Sequence, residues 1–267
     1  MERQSRRAVL GVLTVVTWVP VALLADRDAT LARQHLIALL TWALLFIALW
    51  KSSPLLRTQI LLVVSFATIV EYLFAGHFGV YVYRLENVPW FVPPGHGLIY
   101  FGAYSLGLLL KSRQRFWSFV LVGLLALWVL WGLFLSPQLD VLGAFWFINL
   151  LIFLKWGPSQ STYLGAIVVV SWLEIVGTSI GTWKWMEYDT IKEWVAQGNP
   201  PSGAAGGYGW FDLFALLLAP ILLRQVRKLR TRNRLRGELQ PLKPEAHEVA
   251  HGNRPDESPE SHGSTQN

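Results

Sequence analysis

Apolar stretches of near-bilayer length recur from one end of this chain almost to the other, and they constrain its fold more than any motif does. A helix crossing the hydrocarbon core needs roughly 20 mostly apolar residues, somewhat fewer where flanking side chains snorkel. By that measure about eight candidates stand out, at 8–25, 35–50, 58–78, 97–110, 116–135, 141–155, 162–182 and 208–223. In lipid every backbone N–H and C=O must be satisfied within the segment or a closed barrel, and uninterrupted apolar runs specify helices. At 267 residues the length alone would allow two soluble domains, but 53% hydrophobic and 15% charged residues argue against them. The expected fold is an all-α polytopic transmembrane helix bundle.

Charge placement orients the bundle. The formal net charge of +6 is carried at span ends and in one cluster, Arg224 to Arg236, which reads as positive-inside anchoring and not as a nucleic-acid surface. Basic residues precede 8–25 and recur at Lys51 and Arg57, at Lys111, Arg113 and Arg115, at Lys155, and from Arg224 onward. These are alternate loops. The intervening ones offset their charge with Asp26, Asp28, Glu86, Asp140, Glu187, Asp189 and Glu193. Eight spans then put both termini in the cytoplasm of a multi-pass cell-membrane protein, and two proline-rich loops outside. The first span follows Arg3, Arg6 and Arg7 without a small-x-small cleavage site, so it is read as retained. Residues 224–240 form a basic juxtamembrane segment suited to anionic lipid head groups, and the Pro-, Glu- and Ser-rich 241–267 is expected to be disordered. There is no cysteine, hence no disulfide, thiolate metal site or cysteine nucleophile.

Two loops share one pattern. EYLFAGHFGVYVYRLENVPWFVPPGH begins at Glu71, and EIVGTSIGTWKWMEYDTIKEWVAQGNPPSGAAGGYGWF begins at Glu174. Each runs carboxylate, glycine, two alternating aromatics, Pro-Pro, glycine, so Glu71, Gly79, Tyr81, Tyr83, Pro93, Pro94 and Gly95 answer to Glu174, Gly181, Trp183, Trp185, Pro200, Pro201 and Gly203. The match extends to two parallel four-helix repeats, 1–112 and 113–223, each with an even number of crossings. FIALWKSSP at Phe46 resembles FLKWGP at Phe153, and LLVVSF at 61–66 resembles IVVVSW at 167–172. Aligning those serines leaves Glu71 and Glu174 about one helical turn apart, whereas aligning the glutamates shifts the serines.

Glu71 and Glu174 are the leading candidate catalytic groups. A carboxylate inside a span costs roughly 2.5–3.5 kcal/mol on insertion scales and is usually kept facing a partner or a cavity. A low-dielectric pocket favours its protonated form, a proton donor near neutral pH. The competing reading is structural, with each carboxylate bonding a tyrosine or a helix end across the bundle. His96, in the Pro-Pro-Gly-His-Gly turn, and Asp212, after the glycine-rich SGAAGGYGWF segment, complete the catalytic set, although capping of a helix start is the default for Asp212. His77 reads as an interfacial hydrogen-bonding residue, and Asn149, His35 and Asp140 as packing or boundary groups. No metal and no cofactor is expected. Glu71 and His77 stand about 240° apart around a helix, and neither a His-Glu-x-x-His spacing nor a phosphate-binding lysine is present.

The candidate substrate-facing rings are Tyr81, Tyr83, Trp90, Trp183, Trp185 and Trp210. An aromatic belt accounts for most tryptophans near a membrane interface. It does not account for the period-two spacing of Tyr81 with Tyr83 and of Trp183 with Trp185. That spacing predicts extended chain with both rings on one side, where they can cap an apolar cavity or face a developing cation.

The order Glu, glycine, x-aromatic-x-aromatic, proline loop resembles the integral-membrane carotenoid hydratase family of the bisanhydrobacterioruberin hydratase type, over Glu71–Pro94 and more loosely Glu174–Phe211. The turns are also similar to those of uncharacterised actinobacterial membrane proteins. The resemblance implies a multi-span enzyme with a hydrophobic small-molecule substrate, while the tryptophan version of the second pair and the two Pro-Pro turns depart from the family pattern. Two functions follow as expectations. One is a membrane enzyme hydrating or isomerising a polyisoprenoid or other lipid. The other is a non-enzymatic carrier, lipid-binding or scaffold protein.

Overall fold

The structure is a computed structural model that describes residues 2–188 and 193–238. The expected tail 241–267 and Asp189 of the second proline-rich loop lie outside the described residues. Eight α-helices occur among the described residues: α1 (Glu2–Asp26), α2 (Leu31–Lys51), α3 (Pro54–Phe74), α4 (Val92–Leu110), α5 (Gln114–Phe134), α6 (Val141–Trp156), α7 (Gln160–Ile180) and α8 (Ala204–Glu238). Two three-residue strands, β1 (Tyr81–Tyr83) and β2 (Trp183–Trp185), interrupt the all-helical pattern. Among the described residues six stretches are long and apolar enough to cross a membrane, because α4 and α5 run on as one stretch, Val92–Phe134, and α6 is shorter.

Local chemistry sets the helix ends. Thr30 caps α2 by accepting from Arg33 N, and Ser53 caps α3 by accepting from Leu56 N ahead of Pro54. Gly181 ends α7 in the left-handed conformation, φ 83°, which its missing Cβ permits. Pro93 and Pro94, expected as a rigid loop bend, instead lie in the first turn of α4. Their missing N–H groups are orphans at that position in any case. The apolar runs therefore underestimate both α4 and α8 at their N-terminal ends.

The chain falls into two units, Met1–Gln225 and Val226–Asn267. The described part of the second is the basic end of α8, to Glu238. In the first, one hydrophobic core links residues of both sequence halves, among them Val15, Leu45, Ile60, Leu98, Tyr163 and Leu164. Small residues bring α4 and α7 together. A Cβ on Gly165 would sit 1.9 Å from Ala103 O, and one on Gly107 would sit 2.3 Å from Ser161 O, so these backbones touch directly. Large apolar side chains remain on the outer faces, including Trp50 at 85% exposure and Phe119 at 83%. An apolar exterior of this kind, on helices of spanning length, is what a lipid environment covers.

Candidate functional site

The two aromatic pairs meet in one two-stranded ladder. β1 and β2 are antiparallel with Tyr81 opposite Trp185, Val82 opposite Lys184, and Tyr83 opposite Trp183. Beyond the strands the bonding stays symmetric, since Arg84 N donates to Thr182 O and Met186 N to Val80 O. Tyr81 and Trp183 hold equivalent places in the two sequence patterns, yet each pairs with the other pattern's second ring. The antiparallel direction of the two strands requires this. Alternation sends all four rings inward and leaves Lys184 exposed on the other face.

Below the ladder lie the two glutamates, both buried. Glu71, from α3, accepts from Tyr83 Oη at Oε2 (2.9 Å), and its Oε1 lies 2.8 Å from His96 Nε2 of α4. Glu174, from α7, accepts at Oε2 from the indole N–H groups of both Trp183 and Trp185 (3.0 Å each). Its Oε1 accepts from Tyr208 Oη of α8 at 3.3 Å. Indole N–H groups only donate, so Glu174 Oε2 carries no proton. Glu71 is instead paired with an imidazole, whose ring nitrogens donate or accept according to tautomer. Burial first, then the nearby Glu71 carboxylate, pushes the Tyr81 and Tyr83 hydroxyls well above the ordinary tyrosine value, which keeps them neutral donors.

These groups line a single cavity of about 620 Å³. Glu71, Glu174 and His96 face it together with Tyr81, Tyr83, Trp183, Trp185 and Trp210, and its remaining wall is largely apolar, from Trp18, Phe66, Phe91, Trp146 and Phe211. The volume falls in the range of small-molecule sites. Phe145 and Trp210 reach from its wall to the outer surface, 56% and 48% exposed.

Two candidate residues lie elsewhere. Trp90 is 63% exposed and is not part of the cavity wall. Asp212 neither caps α8 nor faces the large cavity. The glycine-rich segment before it is itself helical, which places Asp212 beyond the first turns of α8, buried beside a smaller pocket. His77 is exposed against Phe78, and Asn149 returns its amide to Phe145 O. Among the described residues no cluster of three or more His, Asp or Glu could hold a metal.

Sequence reasoning missed the groups that fix this geometry. Asp140, read as a boundary residue, caps α6 through Gly143 N and also accepts from Gly198 N, Ser202 N and Ser202 Oγ, tying down the Asn-Pro-Pro-Ser turn. Asp26 plays a similar part for the first loop, taking Gln34 Nε2 at 3.0 Å with Arg84 at 3.6 Å. Gly177 admits the Trp183 ring, since a Cβ there would lie 1.9 Å from its Cη2. Tyr208 and Gln197 also face the cavity, and Gln197 Nε2 donates to Val80 O. Only Gly177, a glycine one helical turn beyond a buried carboxylate, carried a local signal.

No protein-family model, curated protein or solved structure matches this chain.

Proposed function

We propose that this protein is a membrane-embedded enzyme that adds water to, or isomerises, an alkene in a polyisoprenoid or another lipid. The observation that carries this reading is the convergence of Glu71, paired with His96, and Glu174, held by two indoles, on one largely apolar aromatic cavity. The cavity suits a hydrophobic substrate, and the exposed Phe145 and Trp210 offer it an approach from the lipid phase.

The roles follow from the hydrogen bonds. Glu71 in its acid form gives its proton to one alkene carbon, and a tertiary cation forms at the other. The Glu174 carboxylate, fixed by donors that cannot take its charge, and the faces of Tyr81, Trp183 and Trp185 stabilise that cation. Water then adds to the cation and its surplus proton returns to Glu71 or His96, so hydration consumes one water and no net acid. Loss of a proton from a neighbouring carbon in place of water addition gives isomerisation.

In this reading the eight helices cross the membrane as two four-helix repeats, α4 and α5 separately, with both termini cytoplasmic and the basic end of α8 on anionic lipid. The symmetric ladder and the matching Asp26 and Asp140 pins support the duplication. The likeness to carotenoid hydratases agrees with this substrate class. The test is comparative mass spectrometry of lipid and pigment extracts from cells with the protein, without it, and with Glu71→Gln. A product differing by one water, or an isomer, that disappears in the variant is expected. An active Gln variant would remove Glu71 from the role of acid.

A second reading has its own support. Both carboxylates are fully engaged by protein donors, as in groups that hold a bundle together. A carrier or lipid-binding protein would leave every extract chemically unchanged while still moving or retaining a lipid.

A further inference from the structure

His96, Ile99, Tyr208 and Phe211 line the large cavity and also a second pocket of about 10 Å³, completed by residues of α3, α4, α7 and α8 that include Tyr100 and Asp212. Three of its lining residues carry buried polar atoms with no protein partner: His96 Nδ1, Tyr100 Oη and Asp212 Oδ2. The residues are 6%, 2% and 5% exposed. Their placement is helical. His96 and Tyr100 are one turn apart on α4, and Tyr208 and Asp212 one turn apart on α8, so each pair shares a face. The remaining polar group at this pocket, the Tyr208 hydroxyl, is already donated to Glu174.

Buried polar groups are rarely left without a partner in native proteins, and a pocket of roughly 10–15 Å³ accommodates one water molecule if it offers two to four polar partners. We propose that this pocket is the site of one bound water, which joins Asp212 to Glu71 through the His96 ring. With His96 Nε2–H donated to the Glu71 carboxylate, Nδ1 is an acceptor, and a carboxylate oxygen is another. The water donates one hydrogen to His96 Nδ1 and one to Asp212 Oδ2, and it accepts from the Tyr100 hydroxyl. All three orphan atoms are then satisfied.

The same groups also move a proton without moving a heavy atom, once Asp212 carries the proton and the water has turned to accept from Asp212 and Tyr100 while still donating to His96 Nδ1. With Asp212 as the neutral acid, its proton passes to the water, the water passes one of its own to His96 Nδ1, and His96 gives the proton on Nε2 to Glu71. The water is regenerated, the imidazole changes tautomer and stays neutral, Asp212 becomes the carboxylate and Glu71 the acid. Asp212 is thus a positioning and proton-storing residue that acts through His96, out of contact with the lipid substrate. This relay rests on Glu71 being the acid of the proposed reaction, whereas the water site rests on the pocket alone.

The test uses the full-length protein in lipid nanodiscs. A structure at a resolution that shows ordered solvent should place one density peak within hydrogen-bond distance of His96 Nδ1, Tyr100 Oη and Asp212 Oδ2. In protein labelled with ¹⁵N at histidine, the His96 Nδ1 signal should be that of a hydrogen-bonded acceptor and should move in Asp212→Leu, which fills the pocket with an apolar side chain. A dry pocket in the wild-type structure, or a His96 signal that is unbonded and the same in both proteins, overturns the water site whatever Glu71→Gln does to turnover. Asp212→Asn keeps a hydrogen-bonding group but has no acidic proton. It should retain the density peak and the His96 signal while product formation falls at least 10-fold, and unchanged product formation in that variant overturns the relay.

Discussion

Tyr81 lies directly opposite Trp185 across the β1–β2 ladder, with ring centroids 4.4 Å apart, and the Trp185 indole N–H is bonded to Glu174 on α7. A residue of the first loop thereby sets the ring that orients the carboxylate of the second half. Replacing Trp185 by Phe keeps a ring against Tyr81 and removes one donor from a charged acceptor, a loss of about 1.5–3 kcal/mol. Replacing it by Ala also removes the buried ring, for about 3–5 kcal/mol in all. Thermal unfolding in detergent should rank wild type above Trp185→Phe above Trp185→Ala, and equal stability of the two variants would show that the ring's packing is not used.

Glu71 and Glu174 should separate by function. Glu71→Gln is expected to lower product formation by about 10²–10⁴-fold, the usual contribution of a general acid, with unfolding temperature close to wild type. Glu174→Gln should lose stability as well as turnover, because a neutral amide oxygen gives up the charge-assisted bonds from the two indoles. Measuring unfolding and turnover on the same preparations checks both.

Gly177 should tolerate no side chain of ordinary size. Gly177→Val drives its branched Cβ into the Trp183 ring, 1.9 Å away at Cη2. Overpacking of this kind costs about 1–3 kcal/mol. Tryptophan fluorescence should change as the indole leaves Glu174, and an unaltered emission spectrum would place the ring elsewhere.

Asp140 is expected to hold the second proline-rich turn. Asp140→Ala strands the N–H groups of Gly143, Gly198 and Ser202, at about 3 kcal/mol or more. Asp140→Asn should recover part of the loss. Protease sensitivity of the 193–203 segment reads the loosening directly, and cleavage at the wild-type rate in Asp140→Ala would contradict it.

Tyr81 and Tyr83 should titrate late. Their folded-state hydroxyls lie above the unfolded tyrosine value of about 10, by burial first and by Glu71 second. In the window between the two values the unfolded chain loses protons that the folded one retains. The stability they contribute is therefore full below about pH 10 and falls as pH rises beyond it. Ultraviolet titration of Tyr81→Phe and Tyr83→Phe against wild type should show each removed hydroxyl missing from the late-titrating set.

The sequence by itself determined the helical, apolar architecture, because span length and backbone satisfaction in lipid leave no other solution for such runs. It also determined which residues were costly enough to matter. A carboxylate in an apolar span is conspicuous in one dimension, and period-two aromatics after a glycine specify extended chain wherever they occur. What only the tertiary structure decided is the company these groups keep. Tyr81 meets Trp185 and not Trp183 because an antiparallel ladder reverses the order that a linear alignment preserves. Asp212 passed for a cap, since a Gly-rich segment reads as a loop until its close packing makes it the start of α8. Trp90 is indistinguishable in sequence from the tryptophans of the wall, and only the folded chain shows that it faces outward. Asp140 and Tyr208 act on partners many residues distant, through contacts that no local spacing encodes.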